Sequence, residues 1–549
     1  MASYRVRERM HEELVQDLLL ARGVAVEQSA DFLSPSFEGH SHDPFLMPDM
    51  EAAVARILAA AKAGEKISVW SDYDCDGIPG GVMLSEFLRG MGLPVRHYIP
   101  HRHDEGYGLN VEGIAGLAGE GITLIITVDL GTTDREPIAF ARQKGVDVIV
   151  TDHHLPSGEL PDALILNPKR AGSRYPFQHL CGSGVAWKLV QAILSKNRPA
   201  GFGEGKEKWL LDLVGLATLS DRVPLIGENR MLAHYGLKVM QKARRPGLAA
   251  LLSLLRIKPR DLTEDDVGFM IAPRINAASR MAHPETAAQL LAATGAEEAA
   301  TLARELNRIN DERKGVVAAT VKDVRKRLLE RPIKNGIIVM GNPNWRPGIL
   351  GLVASSLAES ENSTVFLWGR EGGELLRGSC RSSGGVNVVS LMEEARDLFD
   401  HFGGHALSGG FSLRQEHAHE LAERLSTAYK KVSAATAPEV LIDRQLDLAE
   451  ASASTLSRIR SLSPFGEGNP KPLFMFPNAA VSKMRMFGKQ NNHLELSFER
   501  SGSHIAGIAF FSTPESFQKR PEDGLRADVI GHLEADWGGR PRIRVVDIL

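Results

Sequence analysis

The chain reads as an α/β protein. A doubly wound, mainly parallel sheet is joined by a long helix to a second α/β domain, and an OB-like β-barrel follows. Three observations predict this. Between residues 66 and 151, the runs "KISVW", "VRHYIP", "ITLIITV" and "VDVIVT" alternate with helical stretches, the spacing of a parallel sheet. Residues 296–330, from "AEEAATLARELNRINDERKG" to "VKDVRKRLLERP", hold one polar helical pattern, after which strand and helix alternate again from "GIIVMGN". Beyond residue 433, "VLIDRQLDL", "HLELSFER", "HIAGIAFF" and "RIRVVDIL" are separated by Gly, Pro and Asn turns, as in a small barrel.

Taken in order, residues 1–48 read as a helical start and a loop with Pro35, Pro44 and Pro48. Residues 49–63 read as an amphipathic helix with Asp49 as its N-cap. Residues 49–295 form the first domain, since "SGVAWKLVQAIL", "KWLLDLVGLATLSD", "RMLAHYGLKVMQKA" and "GLAALLSLL" make its second part helical. The connecting helix takes 296–332, the second α/β domain 333–432 and the barrel 433–549.

Composition bounds the function. A length of 549 residues exceeds one core, and 43% hydrophobic with 24% charged residues is ordinary for a soluble globular protein. A net charge of −3 gives no global pull toward nucleic acid, so such binding needs local basic patches. Cys75, Cys181 and Cys380 are too far apart for a disulfide framework or zinc ribbon. With no signal peptide or apolar run of membrane-spanning length, the reading is a reduced, cytoplasmic location and no membrane partner.

The segment "SDYDCDG" sets Asp72, Asp74 and Asp76 on alternate positions. It opens like an EF-hand, but the twelfth position is Met83 rather than glutamate, and a strand rather than a helix leads in. In an open parallel sheet, ligands bind beyond the carboxyl ends of the strands. There "KISVW" runs into the three aspartates, "ITLIITV" into Asp129, and "VDVIVT" into Asp152, His153 and His154. Asp221 ends an apolar helix. Carboxylates with imidazoles suit Mn2+ or Mg2+, and four or more acids call for two ions, the arrangement that serves phosphoester hydrolysis. Other roles stay open: Asp72 as a turn cap, Asp152 as an acceptor from a neighbouring imidazole, His154 as a core histidine, Asp221 as the partner of Arg222.

With "SDYDCDG", "TVDLG", "TDHH" and "LSDRVPL" in this order, the sequence resembles the DHH phosphoesterase superfamily. "RINAASRM" is similar to that family's R-I-N-A-A-G-R segment, and "NWRPGILGLVASSL" and "FGGHALSGGF" resemble its DHHA1 domain. "PFGEGNPKPLF" resembles the lead-in to the OB-type domain of the superfamily's RecJ branch, so the likeness runs over about residues 50–549. It implies that Asp74 and Asp76 each hold one ion, Asp129 bridges them, and His153 and Asp221 complete the second, with Asp72 and Asp152 as further candidates. It implies that His154 faces the scissile phosphate, that His405 lies across the cleft, and that Arg102, Arg280, Ser379 and Arg381 grip a 5′-phosphate. Guanidinium forks match phosphate geometry. Leu130, Ser279 and "IPGG" depart from the usual pattern without removing a ligand.

The activity so implied is metal-dependent 5′→3′ hydrolysis of single-stranded DNA to 5′-mononucleotides in repair and recombination, with a helicase or single-strand-binding protein as expected partner. The alternative is a phosphodiesterase for short oligonucleotides or cyclic dinucleotides, which needs no barrel. A non-catalytic replication scaffold would have lost metal ligands that this chain keeps. In the barrel, Phe487, Phe498, Phe510, Phe511 and Trp537 are candidate base-stacking residues, and Lys483, Arg485, Lys489, Arg542 and Arg544 candidates to follow phosphates.

Overall fold

The structure, a computed structural model, describes residues 3–102, 104–199, 202–330, 336–370, 372, 374–383, 385–432, 439–488, 491–536 and 538–549. The chain divides into two compact units. One comprises His42–Val223 with Tyr235–Ala437, the other Met1–Ser41 with Pro224–His234 and Pro438–Leu549.

The larger unit is built on a five-stranded parallel sheet. Its strands are β1 (Lys66–Ser71), β2 (Val95–Tyr98), β3 (Ile122–Val128), β4 (Asp147–Thr151) and β5 (Leu164–Leu166), in the order β2-β1-β3-β4-β5. Strands β1 and β3 are buried almost throughout, which is why they read as continuous apolar runs rather than alternating ones. Helix α1 (Gly77–Gly90) leaves the acidic turn after β1, and α2 (Gly182–Lys196) and α3 (Leu211–Ser220) pack beside it. Each fully buried Leu, Ile or Val in this layer contributes roughly 1.5–3 kcal/mol. Asp49 does not cap the helix Met50–Ala63; its backbone is left-handed, and its carboxylate accepts from the Ile165 amide and pairs with Arg170.

Helix α4 (Ala272–Met281) carries the "RINAASRM" segment and packs on the long connector α5 (Ala296–Glu330). A second, mixed sheet follows: β6 (Ile337–Gly341), β7 (Thr364–Gly369), β8 (Leu375–Ser382), β9 (His401–His405) and β10 (Ser408–Arg414), in the order β9-β10-β8-β7-β6. Helix α6 (Pro347–Glu361) lies against β7 and β8 and also touches α5.

In the smaller unit β11 (Phe474–Phe487), β12 (His493–Arg500), β13 (Ser503–Phe510), β14 (Arg526–Ala535) and β15 (Pro541–Ile548) close into a barrel through the β11–β14 pairing. The residues around "VLIDRQLDL" do not form a barrel strand of their own. Val440–Ile442 pairs in parallel with an N-terminal strand, Tyr4–Val6, and only Arg444–Gln445 extends the barrel sheet. The chain therefore starts with a strand, not a helix; the first helix is Leu14–Ala21. Among the described residues no helix is long and apolar enough to cross a membrane.

Candidate metal centre

The carboxyl ends of β1, β3 and β4 bring their acids to one place. The peptide after β1 is tied down locally. Asp74 Oδ1 accepts from the amides of Asp76 and Gly77, and the Cys75 amide donates to Asn276 Oδ1 of α4. Asp76 sits at the N-terminus of α2, where the Gly182 and Ser183 amides donate to its two oxygens at 2.7 and 2.8 Å. A helix N-terminus favours such a negative charge. Gly182 is there because a Cβ on it would lie 2.5 Å from the Asp129 Cβ. Asp129 itself turns the chain in a left-handed conformation, φ 66°, which costs a non-glycine residue energy and is typical of functional turns.

His153 Nε2 lies 3.2 Å from Asp129 Oδ1, 3.7 Å from Asp221 Oδ2 and 3.9 Å from Asp76 Oδ2. Three donor sets result, each with its atoms within 4.8 Å of one another: Asp76–His153–Asp221, Asp72–Asp74–Asp129 and Asp129–His153–His154. Asp129 belongs to two of them. Yet Asp129 Oδ1, Asp72 Oδ1 and His153 Nδ1 are buried and have no hydrogen-bond partner. Burial first, and then the neighbouring carboxylates, push Asp72, Asp129 and Asp221 well above the usual carboxylate range. Burial holds His153 low, which leaves its imidazole neutral and free to ligate. Buried carboxylates that repel each other around an unpartnered oxygen fit a hard dication, and the Asp76–His153–Asp221 and Asp72–Asp74–Asp129 sets, which share no residue, give room for two.

Asp152 behaves differently. Burial alone would raise it, but its hydrogen bond to His154 and the bond from Thr132 hold it below the usual range. Its Oδ1 accepts from the amides of His153 and His154 and lies 2.8 Å from His154 Nδ1. It therefore orients the His154 imidazole and ties down the backbone of His153 and His154 rather than joining a donor set. The same bond raises His154 against the effect of burial.

The phosphate candidates gather nearby. Arg102 lies over the Tyr73 ring at 4.9 Å. Arg280 donates to the Gly348 carbonyl at 2.8 Å, and burial with neighbouring Arg102 and Arg313 pulls its guanidinium down to about 10. A Cβ at Gly351 on α6 would meet Arg381 Nη2 at 2.9 Å and Ser379 Oγ at 3.7 Å, so these two residues of β8 flank the start of α6. Among the described residues Arg102, Arg280 and Arg381 form no ion pair, and that cationic cluster suits a phosphate. His405 is exposed opposite Ser408 in the β9–β10 hairpin. A cavity of about 1250 Å3 lies elsewhere, behind the edge strand β2 and against Trp209 and Arg244.

Some residues escaped the reading of the sequence. Gly182, Ser183 and Asn276 act through backbone bonds to the acidic turn, Lys169 sets a charge beside Asp221, and Tyr107 reaches the centre from the loop after β2. Only Gly182 left a trace, as the first glycine of "CGSGVAWK" ahead of an apolar helix. In the barrel, Phe498 is fully buried core and not a stacking surface, whereas Phe510 and Phe511 are 40% and 81% exposed. Arg485 and Arg542 are paired with Glu495 and Glu534, which leaves them less free for phosphates. Trp537 and Lys489 lie outside the described residues. Leu130 is buried, and Ser279 donates within its own helix.

The DHH family, N-terminal domain, matches residues 66–218; the DHHA1 domain matches 334–434; the RecJ OB domain matches 442–546. The single-stranded-DNA-specific exonuclease RecJ of Bacillus subtilis is 32% identical over 98% of this chain and 68% of its own length. The Escherichia coli protein of that name is 32% identical over 90% of this chain and 89% of its own length. The crystal structure of Thermus thermophilus RecJ in complex with Mn2+ superposes with a TM-score of 0.81, at 28% identity, over 97% of this chain and 76% of that one.

Proposed function

Because the chain belongs to the RecJ family of single-stranded-DNA-specific exonucleases, we propose that it hydrolyses single-stranded DNA from the 5′ end to 5′-mononucleotides, using two Mn2+ or Mg2+ ions. One observation carries the reading: Asp129 stands in two donor sets with a buried oxygen that nothing in the protein satisfies.

In this reading Asp72, Asp74, Asp76, Asp129, His153 and Asp221 would hold the two ions. When bound, the ions lower the pKa of a water and offset charge growing on the phosphate. The protein supplies the rest. The amides of Gly182 and Ser183 keep Asp76 aimed inward. Asp152 fixes the His154 ring through Nδ1, which leaves Nε2 to face the scissile phosphate. Arg102, Arg280, Arg381 and Ser379 hold the terminal phosphate, so that chemistry occurs one nucleotide in from the end. Phe510 and Phe511, exposed on the barrel, give stacking surface that tolerates any base. A helicase or a single-strand-binding protein that delivers single strands completes the picture.

The test uses 5′-labelled linear and circular single strands, a duplex, and a cyclic dinucleotide, each with manganese. Mononucleotides are expected from the linear strand alone. Cleavage of circles would show that no end is required, and turnover of the dinucleotide alone would move the assignment to small substrates.

A further inference from the structure

The cavity behind β2 holds about 1250 Å3, ample for a small-molecule ligand, whose pockets run from roughly 300 to 1000 Å3. It lies at the far ends of two helices that lead to the metal centre. Helix α1 starts just after Asp76 and presents Ser85, Glu86 and Arg89 to the cavity; α3 carries Asp212 at the cavity and stops just before Asp221. The 14 residues of α1 span ~20 Å, so this is a separate place from the acids.

The charges of its wall are unevenly spent. Arg245 takes both Asp212 and Glu86, and Glu105 accepts from the Tyr98 hydroxyl and the His101 amide. Of the acids that line the cavity, only Glu285 remains. Against it stand Arg89, Arg96 and Arg244, which form no ion pair among the described residues. Arg244 lies over the Trp209 ring at 3.6 Å, which holds its planar fork in one place. The surplus is positive and calls for an anion. A second observation points to a ligand. Ser85 is 1% exposed, lines the cavity, and its Oγ has no hydrogen-bond partner. A buried hydroxyl left so is open to a polar group from outside. Much of the remaining wall is aromatic or apolar, Trp209, Phe202, Met240 and Ala288 among it. A bare phosphate would leave that surface wet, whereas a phosphate that carries a planar base uses both parts.

We propose that this cavity binds a free nucleotide, its phosphate on Arg89, Arg96 and Arg244, its base against the aromatic and apolar wall, and Ser85 Oγ hydrogen-bonded to it. The site goes beyond the hydrolysis described above and does not depend on it. The mononucleotides that such hydrolysis releases are one ligand of this class.

The full-length protein in EDTA is titrated calorimetrically with dAMP, deoxyadenosine and inorganic phosphate. Each titration is run with a saturating 5′-phosphorylated single strand that occupies the Arg102, Arg280 and Arg381 cluster. dAMP should bind one to one and more tightly than either fragment. Arg96→Glu, at an exposed position, should weaken it roughly 10- to 100-fold, the worth of one charge-assisted hydrogen bond, and should still hydrolyse single strands like wild type. Ser85→Ala should weaken it about 2- to 10-fold. Arg280→Ala should leave it unchanged. Inorganic phosphate that binds as tightly as dAMP would remove the base from the site and overturn the proposal. Displacement of dAMP by the strand, or its loss in Arg280→Ala, would return the ligand to the terminal-phosphate cluster and overturn it too. So would wild-type affinity in both Arg96→Glu and Arg244→Glu. A second readout is optical: dAMP should change the emission of Trp209, and Trp209→Phe should abolish that change. A change that survives the substitution refutes the location. Failure of the nuclease reading would show separately, as wild type that releases no mononucleotides, and would leave these titrations untouched.

Discussion

Asp17 and Asp129 are both buried carboxylates, 0% and 3% exposed, and their surroundings are opposite. Asp17, in the barrel unit, accepts from Arg7 and from the amides of Met10 and His11, and it pairs with Arg444. Burial alone would raise it, but the bonds from Arg7 and Met10 outweigh that and hold it below the usual range. Asp129 has four other acids around it, Asp76, Asp74, Asp221 and Asp72, and an oxygen without a partner, and it is pushed far up. The protein knows how to satisfy a buried carboxylate when structure is the purpose. Where it withholds partners, the group is reserved for something that arrives from outside.

The comparison can be broken by truncating each acid. Asp129→Ala should abolish turnover, by on the order of 10⁴-fold or more, while single strands still bind and metal-free stability holds or rises as repulsion is relieved. Asp17→Ala should do the reverse. Stranding two guanidinium groups should cost about 3–5 kcal/mol of unfolding free energy, read by denaturant titration, with turnover per folded molecule unchanged. If Asp129→Ala destabilised and Asp17→Ala inactivated, the distinction would fall.

Metal sharpens the contrast at a smaller scale. Manganese at 100 times its dissociation constant should stabilise the protein by about 2.7 kcal/mol per site, visible as a rise in Tm. His153→Ala and Asp221→Ala should blunt that rise, and Asp17→Ala should leave it intact.

The smallest effect is in pH. Asp72, Asp129 and Asp221 have raised values in the folded state. Their contribution favours the fold below the unfolded carboxylate pKa of about 3.9 and is lost as pH rises through the folded values. Asp17 is lowered, so its contribution is present above about 3.9 and is lost as pH falls through its folded value. In EDTA, thermal scans of Asp129→Asn should lack part of the decline toward neutral pH seen in wild type. Scans of Asp17→Asn should lack part of the decline toward acid.

The convergence of most of the clustered acids was legible because they are written at the ends of strands, and a parallel sheet puts strand ends together, whereas Asp221 ends a helix. Asp72, Asp74, Asp76, Asp129 and His153 needed only that rule. The groups that aim them did not follow. Gly182 and Ser183 work through amides that approach Asp76 across a hundred residues, and nothing local in "CGSG" announces the distance. Asp152 stayed open between a ligand and an acceptor from a neighbouring imidazole, because sequence shows that His153 and His154 follow it but not which ring its carboxylate bonds. In the barrel, alternation could have separated Phe498, inward on β12, from Phe511, which lies just past the end of β13. The pairing of Tyr4–Val6 with Val440–Ile442 was not legible: "VLI" reads as a strand, but nothing in it names so distant a partner, and "YRV" is too short and polar to read as one.

That last pairing has a price in time. Translation moves at roughly 5–20 residues per second, so the first strand waits tens of seconds in the cell before its mate exists. Until then its open edge is a template for any passing chain. Segments far apart in the sequence are thus sewn into one unit, and the charged run "RVRERMHEE" beside that strand is well suited to keep it soluble while it waits.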